Sequence, residues 1–273
     1  MYSLLLINWA FYIHEDWLNA QHTLRNGGTL LDWTGAFGTS LDEAAWFGLL
    51  FLWELETFAL PERAWTRFLQ WLFLAVRGVC YVFLAHTVFA WATGFIDLER
   101  LEPLPGVDSL CSVADQGISY TYNLEYTLIG AENCGALSAD DEFFLVDNSA
   151  VTDRAGLEVE RRSAWFDLQD AVTWLLIMFT IEIGIWLQER DITGGALMLA
   201  TQGGKVLYAV LFVDAAYWAW MGHWLYAWDQ LLWIGGFWAI EFNMKLWRDA
   251  IEAEARDQEP ETGEWDRIHA DNE

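Results

Sequence analysis

The stretch "WLLIMFTIEIGIWLQER", residues 174–190, decides how this chain is read. The run from Trp174 to Ile181 carries no charge; then comes Glu182, and after it more apolar sequence. In a soluble core helix that carboxylate would be an oddity. In a helix crossing a membrane it would lie deep in hydrocarbon, where an ionisable group is rarely incidental.

Composition favours the membrane. The chain is 55% hydrophobic and 16% aromatic with 19 Trp, yet it holds 40 acidic residues against 14 basic ones. The two facts agree once the charges are mapped: they gather in residues 97–163 and in the tail after Asp249, between long Trp-studded apolar runs. Trp favours the boundary between hydrocarbon and headgroups. A net charge of −26 argues against a nucleic-acid partner, because a polyanion is repelled.

About 20 mostly apolar residues span a bilayer as a helix. Residues 43–61, 65–95, 165–187, 197–221 and 224–247 qualify, and 3–24 is either a sixth span or a helix lying in the interface. The expected fold is therefore all-α: a polytopic membrane helix bundle of five or six transmembrane helices. The expected division is 1–96 for the N-terminal segment and first transmembrane helices, 97–163 for an acidic extracytoplasmic loop, 164–248 for the C-terminal transmembrane helices, and 249–273 for an acidic cytoplasmic tail.

Basic residues set the orientation. Arg63 with Arg67, Arg190, and Lys245 with Arg248 can all be cytoplasmic together, which puts 97–163 outside. The expected location is a bacterial-type inner (plasma) membrane, multi-pass, with the C-terminus in the cytoplasm. Cys111 and Cys134 share the external loop and suit a disulfide in an oxidising compartment; two free thiols are the alternative. The start "MYSLLLINWAFYIHED" lacks a basic n-region and a small-residue cleavage site, so no cleavable signal is expected.

A repeated spacing gives Glu182 a context. "DEAAWFGLLFLWE", "DAVTWLLIMFTIE" and "DQLLWIGGFWAIE" each read Asp, three residues, Trp, seven residues, Glu. The triples are Asp42, Trp46, Glu54; Asp170, Trp174, Glu182; and Asp229, Trp233, Glu241. The returning segments "RGVCYVFLAH" and "KVLYAVLFVD" each place a basic residue, Arg77 or Lys205, nine positions before a titratable one, His86 or Asp214. The pattern predicts helical hairpins repeated in parallel orientation. A rise of 1.5 Å per residue sets each Glu roughly 18 Å below its Asp.

Two layers follow. An inner one holds Glu54, Glu182, Glu241, Arg77 and Lys205, and an outer one holds His86, Asp214 and an acidic ring of Asp42, Asp170 and Asp229. Unpaired, such groups cost several kcal/mol each in hydrocarbon, so two glutamates are expected to pair with Arg77 and Lys205, leaving one to exchange a proton. The expected function is passage of protons or small cations through this network, by a channel or an ion-coupled transporter. The alternative is a membrane scaffold or assembly factor whose charges are structural and whose loop 97–163 or tail 249–273 binds a protein partner. A third reading places haem b between His14 and His86 for electron transfer. A six-helix bundle is small for a transport path, which favours a homo-oligomer. No P-loop, GxSxG, HExxH or CxxC motif occurs, so no soluble catalytic motif is available; the chain reads as uncertain to be an enzyme, and no metal site is expected.

Overall fold

The structure, a computed structural model, describes residues 2–239 except 62, 64, 140, 141, 189 and 191–195. Glu241 and the acidic tail 249–273 lie outside the described residues. Helix α1 (Tyr2–Thr23) is followed by the short α2 (Leu30–Ala36) and by α3 (Gly38–Glu54), which widens into a π turn at Leu55–Ala59. Thr29 and Asp32 close α2 with a reciprocal capping box. Helix α4 (Arg67–Glu99) starts on a Thr66 side chain that accepts from the Leu69 N–H. Helices α6 (Arg154–Gln188) and α7 (Ala196–Met221) come after an intervening sheet, and residues 224–239 form α8.

Residues 97–163 carry a small sheet of their own. They contain β1 (Ser119–Tyr122), β2 (Glu125–Leu128), the one-turn helix α5 (Cys134–Leu137), β3 (Phe143–Asp147) and β4 (Ala150–Asp153). The sheet order is β2-β1-β4-β3, antiparallel except for the parallel β1/β4 pair. Aromatic and β-branched residues such as Tyr120, Thr121, Phe144 and Val151 favour pleated pairing, and acidic neighbours do not prevent it. Leu110, Ile129, Phe143 and Val151 fill this unit's core around the Cys111–Cys134 disulfide. The all-α expectation is corrected accordingly.

The span count is corrected as well. Among the described residues one helix, Arg67–Glu99, is long and apolar enough to cross a membrane; Val206–Met221 of α7 is a shorter apolar stretch with Asp214 inside it. The reason is where the charges fall. Helix α1 carries Glu15 and Asp16, α3 has only 17 residues, and the first half of α6 is heavily charged. Five or six spans built from repeated hairpins is therefore not the architecture.

The helices nevertheless pack on one core. Leu5, Leu50, Leu84, Ile177 and Leu211 meet Trp46, Trp174 and Trp233 there. At 1.5 Å per residue α4 and α6 are each roughly 50 Å long, so both run past the helical layer to the sheet. Arg161 Nε donates to the Leu98 carbonyl at 2.9 Å and fastens them together at that end.

Candidate functional site

Between the sheet and the helical core lies a cavity of about 200 Å³. Its walls come from α1, α3, α4, α6, α7 and α8, and one residue of the sheet, Leu124, reaches it from the β1–β2 turn. That turn has positive φ at both central residues, Asn123 (55°) and Leu124 (62°), the geometry of a tight type I′ hairpin. Asn suits the left-handed region; Leu does not, and it persists there only because its surroundings hold it. Asn123 Nδ2 donates to the Met221 carbonyl at 3.0 Å, and Asn123 Oδ1 lies 3.1 Å from His223 Nε2. Glu160 accepts from the Leu124 N–H and from Thr121 Oγ1. Burial raises the Glu160 carboxyl above its usual range, while burial lowers the His223 imidazole.

Six carboxyl groups line the cavity: Asp16, Asp42, Glu43, Asp167, Asp170 and Asp229. None of its described lining residues is Lys, Arg or His. Six like charges around so small a space cannot all persist uncompensated, so the site shares protons or holds a cation. One pair of these carboxyls is close enough to share a proton. The carboxyls of Glu43 and Asp229 are hydrogen-bonded to each other. An ionised carboxylate only accepts, so one of the two carries the proton. Asn8 Nδ2 donates to Asp229 at 2.8 Å, Tyr12 also bonds Asp229, and Trp233 Nε1 donates to Glu43 at 3.1 Å. Both acids are buried, at 7% and 5% exposure.

The other carboxyls are placed by neighbouring helices. Asp16 of α1 accepts from Ser40 N–H at 3.0 Å and Ser40 Oγ at 2.6 Å, capping the start of α3, where Phe37 offers no side-chain cap. Asp170 accepts from Gln230 Nε2 at 2.5 Å, and Asp42 accepts from the Trp46 side chain.

The outer ring read from the sequence, Asp42, Asp170 and Asp229, lies at this one cavity, and the tryptophans one turn below it meet as well. The Trp46 ring lies 6.1 Å from Trp174 and 6.4 Å from Trp233. The inner layer is placed differently. Glu54 accepts the Tyr2 hydroxyl, Arg77 pairs with Glu56 at 2.7 Å on a partly exposed surface, and Glu182 is exposed on α6. The Lys205 side chain lies outside the described residues. Asp214 is fully buried between α6 and α7, with Oδ1 accepting from Gln169 at 2.8 Å and Oδ2 without a partner among the described residues. His86 lies 2.9 Å from Thr34 Oγ1 and lines a separate groove of about 490 Å³ between α2, α4 and the β3–β4 hairpin. His14 is exposed on α1 and is not among the residues lining that groove.

Glu43, Asp16, Asp167 and Asn8 carry no repeat signal. Glu43 stands beside Asp42 at a helix start and reads as a favourable dipole partner, and Asp16 reads as the end of an apolar run. Among the described residues no group of three or more His, Cys, Asp or Glu is arranged to hold a metal ion. No protein-family model, curated protein or solved structure matches the chain.

Proposed function

We propose that this is a membrane protein that moves protons or small cations, and that the buried Glu43–Asp229 pair is where it exchanges them. The observation that carries the reading is the juxtaposition of two buried carboxyls, within hydrogen-bonding reach of each other, at the wall of a cavity with no basic residue among its described lining. A carboxyl pair of this kind releases and takes up one proton with little rearrangement, since Asn8, Tyr12 and Trp233 hold both partners in place.

The membrane setting is supported by the outward face of the helices. Trp71 (69% exposed), Val82 (67%) and Phe89 (59%) face outward from α4, and α1 and α6 expose Phe11, Trp17, Trp165 and Phe179. Apolar surface on this scale calls for a non-aqueous cover. The disulfide-bonded sheet unit then lies on an oxidising, extracytoplasmic side. The Asp–Trp spacings of α3, α6 and α8 bring Asp42, Asp170 and Asp229 to one cavity and their tryptophans into contact.

The test is proton flux into proteoliposomes, followed with a pH-sensitive dye, for wild type, Glu43→Gln and Asp229→Asn. Loss of flux by tenfold or more, in variants that still run as folded protein on size exclusion, is the expected result. Undiminished flux in both variants would assign the pair a structural role. Absence of flux from wild type under proton and cation gradients alike would favour a scaffold, with the sheet as the surface that meets a partner.

A further inference from the structure

The carboxyl groups account for only a third of the residues that line the cavity. Five tryptophans, Trp46, Trp91, Trp174, Trp218 and Trp233, together with Tyr226, supply as many residues again. The combination is chemically specific. The faces of indole rings carry negative potential and attract cations whose charge is spread over carbon-bearing groups, while carboxylates attract them at longer range. A lining with no described basic residue offers an anion no positive charge, and a neutral ligand would do nothing to offset the carboxylates that stay ionised.

The placement of the acids separates an organic cation from a metal ion. A metal needs several oxygens converging within about 2.5 Å of one point. Among the described residues no such group exists, because neighbours engage most of the carboxyls individually: Ser40 holds Asp16, Gln230 holds Asp170, and Glu43 and Asp229 hold each other. Asp167 is the exception. It lines the cavity and accepts no hydrogen bond from a described residue. Close by, within electrostatic range of both Asp167 and Asp170, fully buried Asp214 leaves Oδ2 without a described partner. That side of the cavity is thus short of positive charge, independently of the aromatic walls.

We propose that the cavity binds a small organic ammonium ion, seated against the Trp46, Trp174 and Trp233 rings with its charge toward Asp167 and Asp170. A space of about 200 Å³ equals roughly six or seven waters, which limits the guest to about ten heavy atoms or fewer. The inference names the cargo of the transport site proposed above and rests on that reading for its role, though not for binding itself.

The experiment is a titration of detergent-solubilised full-length protein, read by intrinsic tryptophan fluorescence and by calorimetry at constant ionic strength. Choline, tetramethylammonium and putrescine are the ligands. Sodium, calcium and 3,3-dimethylbutanol, the uncharged isostere of choline, are the comparisons. Saturable binding of at least one amine in the millimolar range or tighter is expected, at least tenfold weaker for the neutral isostere and for both metal ions. Asp167→Asn and Trp174→Leu should each weaken it about tenfold. The wild-type ligand series decides the matter even where a variant fails to fold. No saturable amine response, or an equal response to calcium or to the neutral isostere, would overturn the inference. Amine binding without any proton or amine flux would overturn the transport reading and leave the ammonium site standing. Flux without amine binding would do the reverse.

Discussion

The Asn8 side-chain amide donates to Asp229 Oδ1 at 2.8 Å, joining the first helix to the last described one across 221 residues of sequence. The bond is buried, and it orients the carboxyl that faces Glu43. Asn8→Leu should leave Asp229 short of a donor and cost about 1–3 kcal/mol of stability, the usual penalty for orphaning a buried polar group. Thermal unfolding in detergent measures it. A shift indistinguishable from that of an exposed control such as Asn26→Leu would mean that the contact contributes nothing.

Leu124 gives a reversed substitution order. At φ 62° a side chain is strained, and glycine is not. Leu124→Ala keeps the strain and loses the packing on the Trp218 cluster; Leu124→Gly loses both. The glycine variant should therefore be more stable than the alanine variant by about 1 kcal/mol, the opposite of the order in a helix. Paired melting curves decide it.

The Cys111–Cys134 bridge closes a separation of 23 residues. Its removal by Cys134→Ser should destabilise the sheet unit by roughly 3 kcal/mol. Reducing agent should lower the melting temperature of wild type and leave the variant unmoved.

Glu160 predicts a pH dependence with a definite sign. Burial raises its folded-state value above the unfolded one, so the folded state holds the proton more tightly. Its contribution to stability is fully present below the unfolded value and is lost as pH rises through the folded one. Glu160→Gln, permanently neutral, should be more stable than wild type at pH 7, and the gap should close as pH falls toward 4.5. The comparison has to be made as a difference, because burial lowers His22 and His223, whose contributions run the other way: they are present at neutral pH and lost on acidification. A gap that widens on acidification would contradict the assignment.

The outward face of α4 tests the membrane setting. Val82 is 67% exposed. Val82→Asp should cost a few kcal/mol if that face meets hydrocarbon, and it should release the protein from membranes in alkaline carbonate. In a helix facing water the same change would cost under about 0.5 kcal/mol.

Much of the helical layer was legible from sequence. The apolar runs 43–61, 65–95 and 165–187 lie within or largely overlap α3 with its π turn, α4 and α6, because a long apolar run must bury its backbone polar groups in helical hydrogen bonds whatever surrounds it. The disulfide was legible from two cysteines in one acidic segment. The sheet was not, because its strands are four or five residues long and half-polar, too short for an alternating pattern to stand out from acidic loop sequence.

The candidate site divides in the same way. Sequence by itself determined that Asp42, Asp170 and Asp229 sit at equivalent places four residues before a tryptophan, since spacing along a helix fixes a shared face. It could not determine which faces meet. Only the tertiary structure turned the aspartates toward one cavity, set Glu43 against Asp229 and left Glu182 on an exposed face. Periodicity constrains positions along and around one helix, whereas the rotation of each helix against its neighbours follows from side-chain packing among residues far apart in the chain.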